Sequence, residues 1–506
     1  MIKRLYSADV LQAHNDRSIY IMDFNEKTKG YSTAYCPSKL FDIGKNSLKN
    51  TLKNLIDLLQ KSEAEWSRSI TINSFDSYIA PLIKSENLNE AQIRKLFGIF
   101  IAQINNLVNY TVSLNLDVFT SSNNDTQPEM DMINCQLSEI LENSYQNESH
   151  KVVPIINISD STLWDSSTIS RYIKLSYKYG VPHYINYLTG TLSSSHLHNL
   201  PDKNPNPNVI YLTHGGVMGN ADGRGLVGSV AINLPRAGYL SRDEDEFIER
   251  IDSLAEAAKL ALEQKRKILT DRLEAGLMPI TGRFLKSFDW HSSAICIVGV
   301  NEALQNLIGV GTAHVAGKAV TYKILEHMVR LIEEYQEETG HLYTLAAYPS
   351  ELAGSYMAEI DKEKYPEMKM SGNYAPYYTC SSELPPNNGD DLWDALEHQK
   401  KYHSIYTGAN VFQMHLKHGL EYRTEEKLLL FRCLEKFGYN SIKVSPNYSI
   451  CRKHGYIESA TKKCPKCGLT TNTYVWVDGE VANLETLLNG LKEANKERVN
   501  YDVKNS

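Results

Sequence analysis

Short apolar runs alternate with long amphipathic stretches through the middle of this chain, and that alternation constrains the fold most. The runs have the length and composition of buried strands, and the stretches between them, such as 243–274 and 321–338, have helical periodicity. Strands that alternate with helices form a parallel sheet or barrel with the helices outside. We therefore predict an α/β fold, with strands at 152–158, 183–187, 209–212, 228–234, 294–298 and 343–347.

Earlier segments fit the same prediction. Residues 45–65 and 88–110 place apolar side chains at helical spacing, so both are predicted amphipathic helices, while the polar stretch 121–127 is predicted to be a surface loop. A chain of 506 residues allows about three domains, although a single large barrel also fits that length.

Composition narrows the class of protein. With 42% hydrophobic and 22% charged residues, the chain is typical of soluble globular proteins, and its net charge of -7 gives no reason to expect a nucleic-acid partner. No apolar run reaches the eighteen or so residues of a membrane span, and the first sixteen residues lack the apolar core of a secretory signal. Eight cysteines without a disulfide pattern favour a reducing compartment, so we expect a cytoplasmic protein.

A metal-binding pattern lies near the C-terminus. Cys451 and His454 are separated by two residues, as are Cys464 and Cys467, and two such pairs supply the four ligands of a tetrahedral zinc ion. Because protein would fill all four positions, we predict a structural zinc site. The alternative is that these are ordinary buried thiols and a surface histidine. We also expect few basic residues around the cluster, which would disfavour a nucleic-acid-binding zinc ribbon.

Six short segments of the chain form an ordered series ahead of the cysteine cluster. They are Pro-Ile-Ile-Asn-Ile at 154–158, Lys-Tyr-Gly-Val-Pro-His-Tyr at 178–184, the run from Asp222 to Arg236, Ala-Tyr-Pro-Ser-Glu at 347–351, Tyr-Tyr-Thr at 377–379 and Tyr-Thr-Gly-Ala-Asn at 406–410. In this order they resemble segments of the anaerobic (class III) ribonucleotide reductases of the glycyl radical enzyme superfamily. Each segment alone is a weak match, but their order and the terminal cysteine cluster are specific.

The resemblance places the family's radical glycine at Gly479, twelve residues beyond Cys467 and ahead of a final charged helix. Glycine suits that role because a planar Cα radical leaves no room for a Cβ, and because glycine tolerates tight loop conformations. The alternative is a plain β-turn, since Asp-Gly is a common hairpin dipeptide. The loop also departs from the family, which has Arg and Tyr where this chain has Trp476 and Glu480.

A second departure concerns the catalytic thiol. The family's radical cysteine lies in a Met-Gly-Cys-Arg run, and the matching position here is Asn220, which cannot form a thiyl radical. If the chain is catalytic, another cysteine must carry the radical. The candidates are Cys36 and Cys380, each in a segment similar to the family's active site, and then Cys296 on an apolar strand.

The resemblance implies a ten-stranded α/β barrel of two half-barrels over residues 1–440, a zinc-binding domain over 441–475, and a radical loop with a C-terminal helix over 476–506. It implies Zn2+ and an organic radical on Gly479, and substrate contacts from Asn220, Asn233, Glu351 and Asn410. Glu351 could instead be a charge at a helix N-terminus.

The implied activity is ribonucleotide reduction after activation by a radical S-adenosylmethionine activase, in a cytoplasmic homodimer without nucleic-acid or membrane partners. The chain begins close to the catalytic region, so we expect no nucleotide-binding regulatory cone. Two alternatives remain open. One is a glycyl radical enzyme that acts on another small molecule through a different cysteine. The other is a non-catalytic homologue that binds nucleotides or a partner protein.

Overall fold

The computed structural model describes residues 5–37, 46–118, 125–160, 162–188, 223–417 and 426–502. The predicted strand at 209–212, position Asn220 and most of the predicted loop at 121–127 lie outside the described residues.

Ten strands form the main path of one large sheet, in the order β10-β11-β6-β5-β4-β3-β2-β7-β8-β9. They are β2 (Gly30–Tyr35), β3 (Trp66–Ile72), β4 (Thr111–Leu116), β5 (Val152–Ile158), β6 (His183–Asn186), β7 (Gly225–Asn233), β8 (His291–Val298), β9 (Tyr343–Ala346), β10 (Phe412–Met414) and β11 (Ser441–Val444). A short strand, β1 (Ile19–Ile21), pairs antiparallel with β7 outside this path.

Two parallel sets meet in opposite directions. Strands β2 to β6 are parallel, and so are β7 to β9 and the pair β10 and β11. The antiparallel pairings are β2 with β7 and β6 with β11. This arrangement is the predicted pair of half-barrels.

Backbone hydrogen bonds between β9 and the segment before β10 close the sheet. The N–H of Gly408 donates to the carbonyl of Leu345 at 2.8 Å, and the N–H of Ala347 donates to the carbonyl of Ala409 at 2.8 Å. The predicted ten-stranded barrel is therefore confirmed.

Helices cover the outside of the barrel, and the sequence predicted several of them, including those at 45–65, 88–110, 243–274 and 321–338. They are α1 (Ala8–Asn15), α2 (Leu48–Ser62), α3 (Phe75–Glu86), α4 (Glu90–Leu107), α5 (Gln127–Gln146), α6 (Ser167–Tyr179), α7 (Leu234–Leu240), α8 (Glu244–Glu274), α9 (Pro279–Phe284), α10 (Val300–Leu307), α11 (Val315–Thr339), α12 (Glu351–Lys364), α13 (Leu392–His403), α14 (Glu426–Phe437) and α15 (Asn489–Glu497). In the described part of the chain, none of them combines the length and apolarity needed to cross a bilayer.

Side-chain caps set where several helices begin. Asn89 accepts a hydrogen bond from the N–H of Gln92, whose side chain accepts from the N–H of Asn89, and this capping box starts α4. Asp243 caps the 31-residue α8, whose first turn carries three acidic residues. Acidic groups there complement the positive end of the helix dipole.

Strand β4 shows how the core is divided. Val112, Leu114 and Leu116 are fully buried in the apolar layer beneath the helices. Ser113 and Asn115 are also fully buried, and they alternate onto the opposite face, towards the barrel interior. The barrel therefore combines an apolar outer layer with polar interior positions.

A second, four-stranded sheet follows, in the order β13-β12-β14-β15. Its strands are β12 (Tyr448–Cys451), β13 (Gly455–Ile457), β14 (Asn472–Val477) and β15 (Glu480–Asn483). Because Ser441–Val444 pairs within the barrel, the barrel extends beyond the predicted boundary at residue 440. The small sheet begins only at Tyr448.

Candidate functional site

The four predicted zinc ligands lie together at one end of the small sheet. Their donor atoms are all within 4.8 Å of one another. Cys451 Sγ lies 3.7 Å from Cys467 Sγ, and His454 Nδ1 lies 3.4 Å from Cys464 Sγ. Zinc bonds of 2.0–2.3 Å in a tetrahedron place neighbouring donors roughly 3.3–3.8 Å apart. The donor set and its spacing therefore fit a structural zinc ion.

One expectation about this cluster is wrong. Basic residues are numerous around it: Arg452, Lys453, Lys462, Lys463 and Lys466 are all exposed. Three of them occupy the spacers between ligands and two directly precede Cys464. The net charge of the whole chain hides this local concentration of positive charge.

Gly479 lies at the tip of the hairpin formed by β14 and β15. Val477 pairs with Glu480, which leaves Asp478 and Gly479 as a two-residue turn with φ of 46° and 85°. Positive φ at both positions is typical of the tight turn that joins twisted strands, for which Asp-Gly is a preferred sequence. The backbone is thus that of a plain hairpin turn, but this turn is buried, with Asp478 only 3% exposed.

The carboxylate of Asp478 caps helix α12 from a distant part of the chain. It accepts hydrogen bonds from the backbone N–H groups of Ser350 at 2.8 Å, Glu351 at 3.0 Å and Leu352 at 2.9 Å. The residue that precedes α12, Ser350, makes no side-chain cap of its own. The hairpin tip therefore completes the first turn of a barrel helix.

Glu351 returns a contact to the hairpin. Its Oε2 accepts a hydrogen bond from the backbone N–H of Asp478 at 2.6 Å. Burial and the nearby Glu351 charge raise the pKa of Asp478 to about 6, and burial raises the pKa of Glu351. Glu351 is thus the first residue of α12, and its carboxylate faces the hairpin, while its predicted contact with a substrate stays a prediction.

The two loop positions that depart from the family have partners in the barrel. Trp476 donates from Nε1 to the carbonyl of Tyr179 at 2.8 Å, and Lys443 Nζ lies 3.3 Å from a Trp476 ring centroid. Burial lowers the pKa of Lys443 well below its ordinary value. Glu480 forms an ion pair with Arg68 at 3.3 Å.

Three residues that position the hairpin, Asp478, Lys443 and Arg68, were not predicted from the sequence. Arg68 also donates to the carbonyl of Asp478 at 3.3 Å. Each is remote in sequence from the group that it contacts in the barrel or hairpin, so local patterns carried no signal for these contacts. Of the three, Asp478 would have been the easiest to predict from the sequence, because it directly precedes Gly479.

Cys380 lies beside a cavity of about 80 Å³ that reaches the hairpin at Val477. The other polar residues lining it include Glu351, Glu383, Gln413 and Arg498. Cys380 Sγ lies 2.8 Å from Ser350 Oγ, and Ser350 also binds Asp478 through its backbone N–H. Ser350 therefore links Cys380 to the hairpin tip.

Burial favours the protonated forms of Cys380 and Glu383 beside the cavity. Burial raises the pKa of the Cys380 thiol well above its ordinary value. Burial also raises the pKa of Glu383 to about 7, although the hydroxyl of Tyr348 donates to its carboxylate. Below neutral pH, both side chains can hold a proton beside the cavity.

The other two candidate thiols are buried but are not among the residues that line this cavity. Cys296, on β8, lies 3.3 Å from Ser229 Oγ, and burial raises its pKa to about 12. The charge of Asp478 contributes to that shift, so Cys296 also lies in the neighbourhood of the hairpin. Cys36 directly follows β2 and is 1% exposed.

Of the three predicted asparagines, Asn233 and Asn410 lie in the described part of the chain, and neither is among the residues that line this cavity. The side-chain amide of Asn233 accepts a hydrogen bond from the N–H of Arg236 and donates to the carbonyl of Arg17 and the carboxylate of Asp361. Its hydrogen bonds therefore go to other groups of the protein. The side-chain amide of Asn410 donates to the carbonyl of His403 at 2.9 Å.

Sequence comparison supports the reading of this geometry. The profile of the family described as anaerobic ribonucleoside-triphosphate reductase matches residues 1–501. The chain belongs to this family. A relative of the same name from Haemophilus influenzae is 24% identical over 284 residues, which is 51% of this chain and 39% of that protein. The aligned part is therefore well under two thirds of that relative.

Solved structures of anaerobic ribonucleotide reductases share the fold. One superimposes with a TM-score of 0.79 and 16% identity, over 99% of this chain and 86% of the other. The Thermotoga maritima enzyme in complex with dATP and CTP superimposes with a TM-score of 0.74 and 16% identity, over 98% of this chain and 88% of the other. At 16% sequence identity, this likeness shows a shared fold and nothing more.

Proposed function

We propose that this protein is a glycyl radical enzyme that reduces ribonucleotides to deoxyribonucleotides without oxygen, with Gly479 storing the radical. The observation that carries the proposal is the buried Asp478-Gly479 turn, held inside a family barrel by the cap on α12. An Asp-Gly turn needs no burial and no remote partners to form a hairpin.

Gly479 exchanges a hydrogen atom with a thiol, for which Cys380 is the best-supported candidate. The radical form of Gly479 takes the hydrogen of the Cys380 S–H, and the resulting thiyl takes the 3′-hydrogen of the ribonucleotide. The 2′-hydroxyl then leaves as water after protonation, and an external reductant supplies two electrons and the balancing protons. Return of the hydrogen from Cys380 to C3′ leaves the radical on the Cys380 sulfur, which then takes a hydrogen atom from Gly479 and so restores the glycyl radical. Glu383 can hold a proton next to this thiol.

The substrate assignment is inferred from relatives. The Thermotoga maritima enzyme was solved with dATP and CTP, and the curated relatives are named for ribonucleoside-triphosphate reduction. We infer a cytoplasmic homodimer that a radical S-adenosylmethionine activase converts to its radical form. Glu351 would contact the substrate, as would Asn220.

Zinc would serve structure rather than chemistry. Bound by Cys451, His454, Cys464 and Cys467, it would join the two knuckles from which β14 runs into the barrel. No step of the reaction requires it.

One alternative has support from a particular residue. Asn220 stands where the family has its radical cysteine. A glycyl radical enzyme that acts on another small molecule through a different cysteine would fit this substitution.

Anaerobic electron paramagnetic resonance after incubation with the activase tests the proposal. We expect a glycine-type doublet in the native chain, none in Gly479→Ala, and an undiminished doublet in Gly340→Ala. Gly340 is a matched control, because it also has positive φ, at 72°, and lies outside the site. Absence of a doublet from the native chain, with an activase shown to be competent, would contradict the proposal.

Product analysis separates the two substrates. Deoxycytidine triphosphate formed from CTP by the radical-bearing enzyme supports ribonucleotide reduction. A stable doublet without any deoxynucleotide from all four ribonucleotides supports another small molecule as the substrate.

A further inference from the structure

The zinc-binding end of the small sheet, residues 451–470, is a basic surface on an acidic protein. We call it the zinc knob. Its five cationic side chains, Arg452, Lys453, Lys462, Lys463 and Lys466, are exposed on a chain whose net charge is -7. In the described part of the chain, the single ion pair among them joins Lys462 to Glu485 at 3.8 Å, with the Lys462 side chain 88% exposed.

Neutralising the negative charge of the metal site would account for only part of the positive charge on the knob. Zinc with three thiolates and one neutral imidazole carries a net charge of -1, and nearby cations stabilise that centre. Glu458 contributes one further negative charge within the knob. Glu485, which pairs with Lys462, contributes a third. Five cations exceed these three negative charges, so a positive surplus of about two remains on the knob.

The position of the knob connects this surplus of positive charge to the hairpin that carries Gly479. The inner part of the small sheet packs against the barrel, where Tyr448 contacts Tyr179 with ring centroids 5.2 Å apart. The knuckles form the outer end, and β14 runs from them to the turn at Gly479. Six strand residues at about 3.3 Å each place the knob roughly 20 Å from the turn. A partner bound there would hold the outer end of the strand that carries Gly479.

Surface chemistry favours a protein partner over a nucleic acid. Leu469, 52% exposed, adds an apolar contact among the cations, whereas the knob's aromatic residue, Tyr456, packs on Tyr179. Single-stranded nucleic acids bind where exposed rings accompany the positive charge. An apolar contact with a charged rim is typical of protein interfaces.

We propose that the zinc knob is the docking surface for an acidic face of the activase that installs the radical on Gly479. The inference rests on the proposed function, because the activase is the partner which must act on this hairpin. Opposite charge accelerates encounter by one to three orders of magnitude at low salt, and the effect falls as ionic strength rises.

Charge reversal tests this surface. The test variant is Lys453→Glu, Lys463→Glu and Lys466→Glu together, and the control is Lys49→Glu, Lys61→Glu and Lys364→Glu, which changes the net charge equally at other exposed positions. Both full-length variants are loaded with zinc before the assay, and zinc content and thermal unfolding are measured to show that each is metal-bound and folded.

We expect activase affinity and the initial rate of doublet formation to fall tenfold or more in the knob variant and less than twofold in the control. The native rate should fall as salt rises from 50 to 300 mM. Equal rates in the two variants would overturn the proposal while leaving the glycyl radical function intact, because the doublet would still form. Loss of binding to a fluorescent DNA oligonucleotide, with activation unchanged, would assign the knob to nucleic acid instead. No doublet in the native chain would refute the function itself.

Discussion

Replacing Asp478 by glycine should release the hairpin from the barrel without unfolding the barrel. The substitution removes the carboxylate that accepts three backbone N–H groups of α12, while glycine keeps the positive φ of 46° that the turn requires. The test therefore isolates the cap from backbone strain.

The cost can be worked from those three hydrogen bonds. Losing an N-cap costs about 1–2 kcal/mol, and buried N–H groups left without a partner add about 1–3 kcal/mol. Relief of the repulsion between Asp478 and Glu351 offsets part of this. We expect hairpin docking to become less favourable by about 3 kcal/mol, which lowers the equilibrium constant for docking roughly a hundredfold.

Hydrogen exchange of the amides in β14 and β15 measures that equilibrium. Exchange should be roughly a hundredfold faster in Asp478→Gly, with amides of β4 and β5 unchanged as an internal reference. Asp478→Asn is the matched control, because asparagine retains an oxygen acceptor and tolerates positive φ, so its exchange should rise less than tenfold. Unchanged protection in the glycine variant would refute the argument that this carboxylate holds the hairpin.

Three further outcomes follow from the site. The pKa of Glu383 is raised from 4.5 to about 7, so its contribution to stability is complete below pH 4.5 and is lost as pH rises through 7. Glu383→Gln should therefore exceed the native chain in stability by up to about 3 kcal/mol at pH 8 and match it near pH 4.5, and equal urea midpoints at both pH values would contradict this. Cys464→Ser should lower bound zinc well below one ion per chain by atomic absorption and increase hydrogen exchange in β12 to β14, while far-ultraviolet circular dichroism stays nearly native. Trp476→Phe removes the 2.8 Å hydrogen bond to the carbonyl of Tyr179 and should weaken hairpin docking by about 1–2 kcal/mol, which the same exchange experiment would detect.

Strands and helices of the barrel were predictable because each carries its own periodic signal. The strand Val152–Ile158 and the long helix Glu244–Glu274 lie almost where apolar spacing and capping residues predict them. The zinc ligands were predictable for a similar reason, since their spacing within two short knuckles already brings four donors together. Pairing between β9 and residues 407–409 leaves no local pattern in the sequence. Closure of the barrel was therefore expected only from the family resemblance.

Burial of the hairpin could not be derived from the same local information. Asp478-Gly479 predicts a turn in any context, and the turn was found, but its environment depends on Ser350, Glu351 and Leu352, more than 120 residues away. Likewise Lys443 and Arg68 reveal their contacts with Trp476 and Glu480 only when β11 and β3 have taken their places in the barrel. The sequence alone determined the predicted strands and helices, the four candidate metal ligands and the turn at Gly479, because those depend on neighbours along the chain. Tertiary structure decided what surrounds that glycine and which thiol lies beside the cavity, because hydrogen bonds and burial there join residues that only the closed barrel brings together.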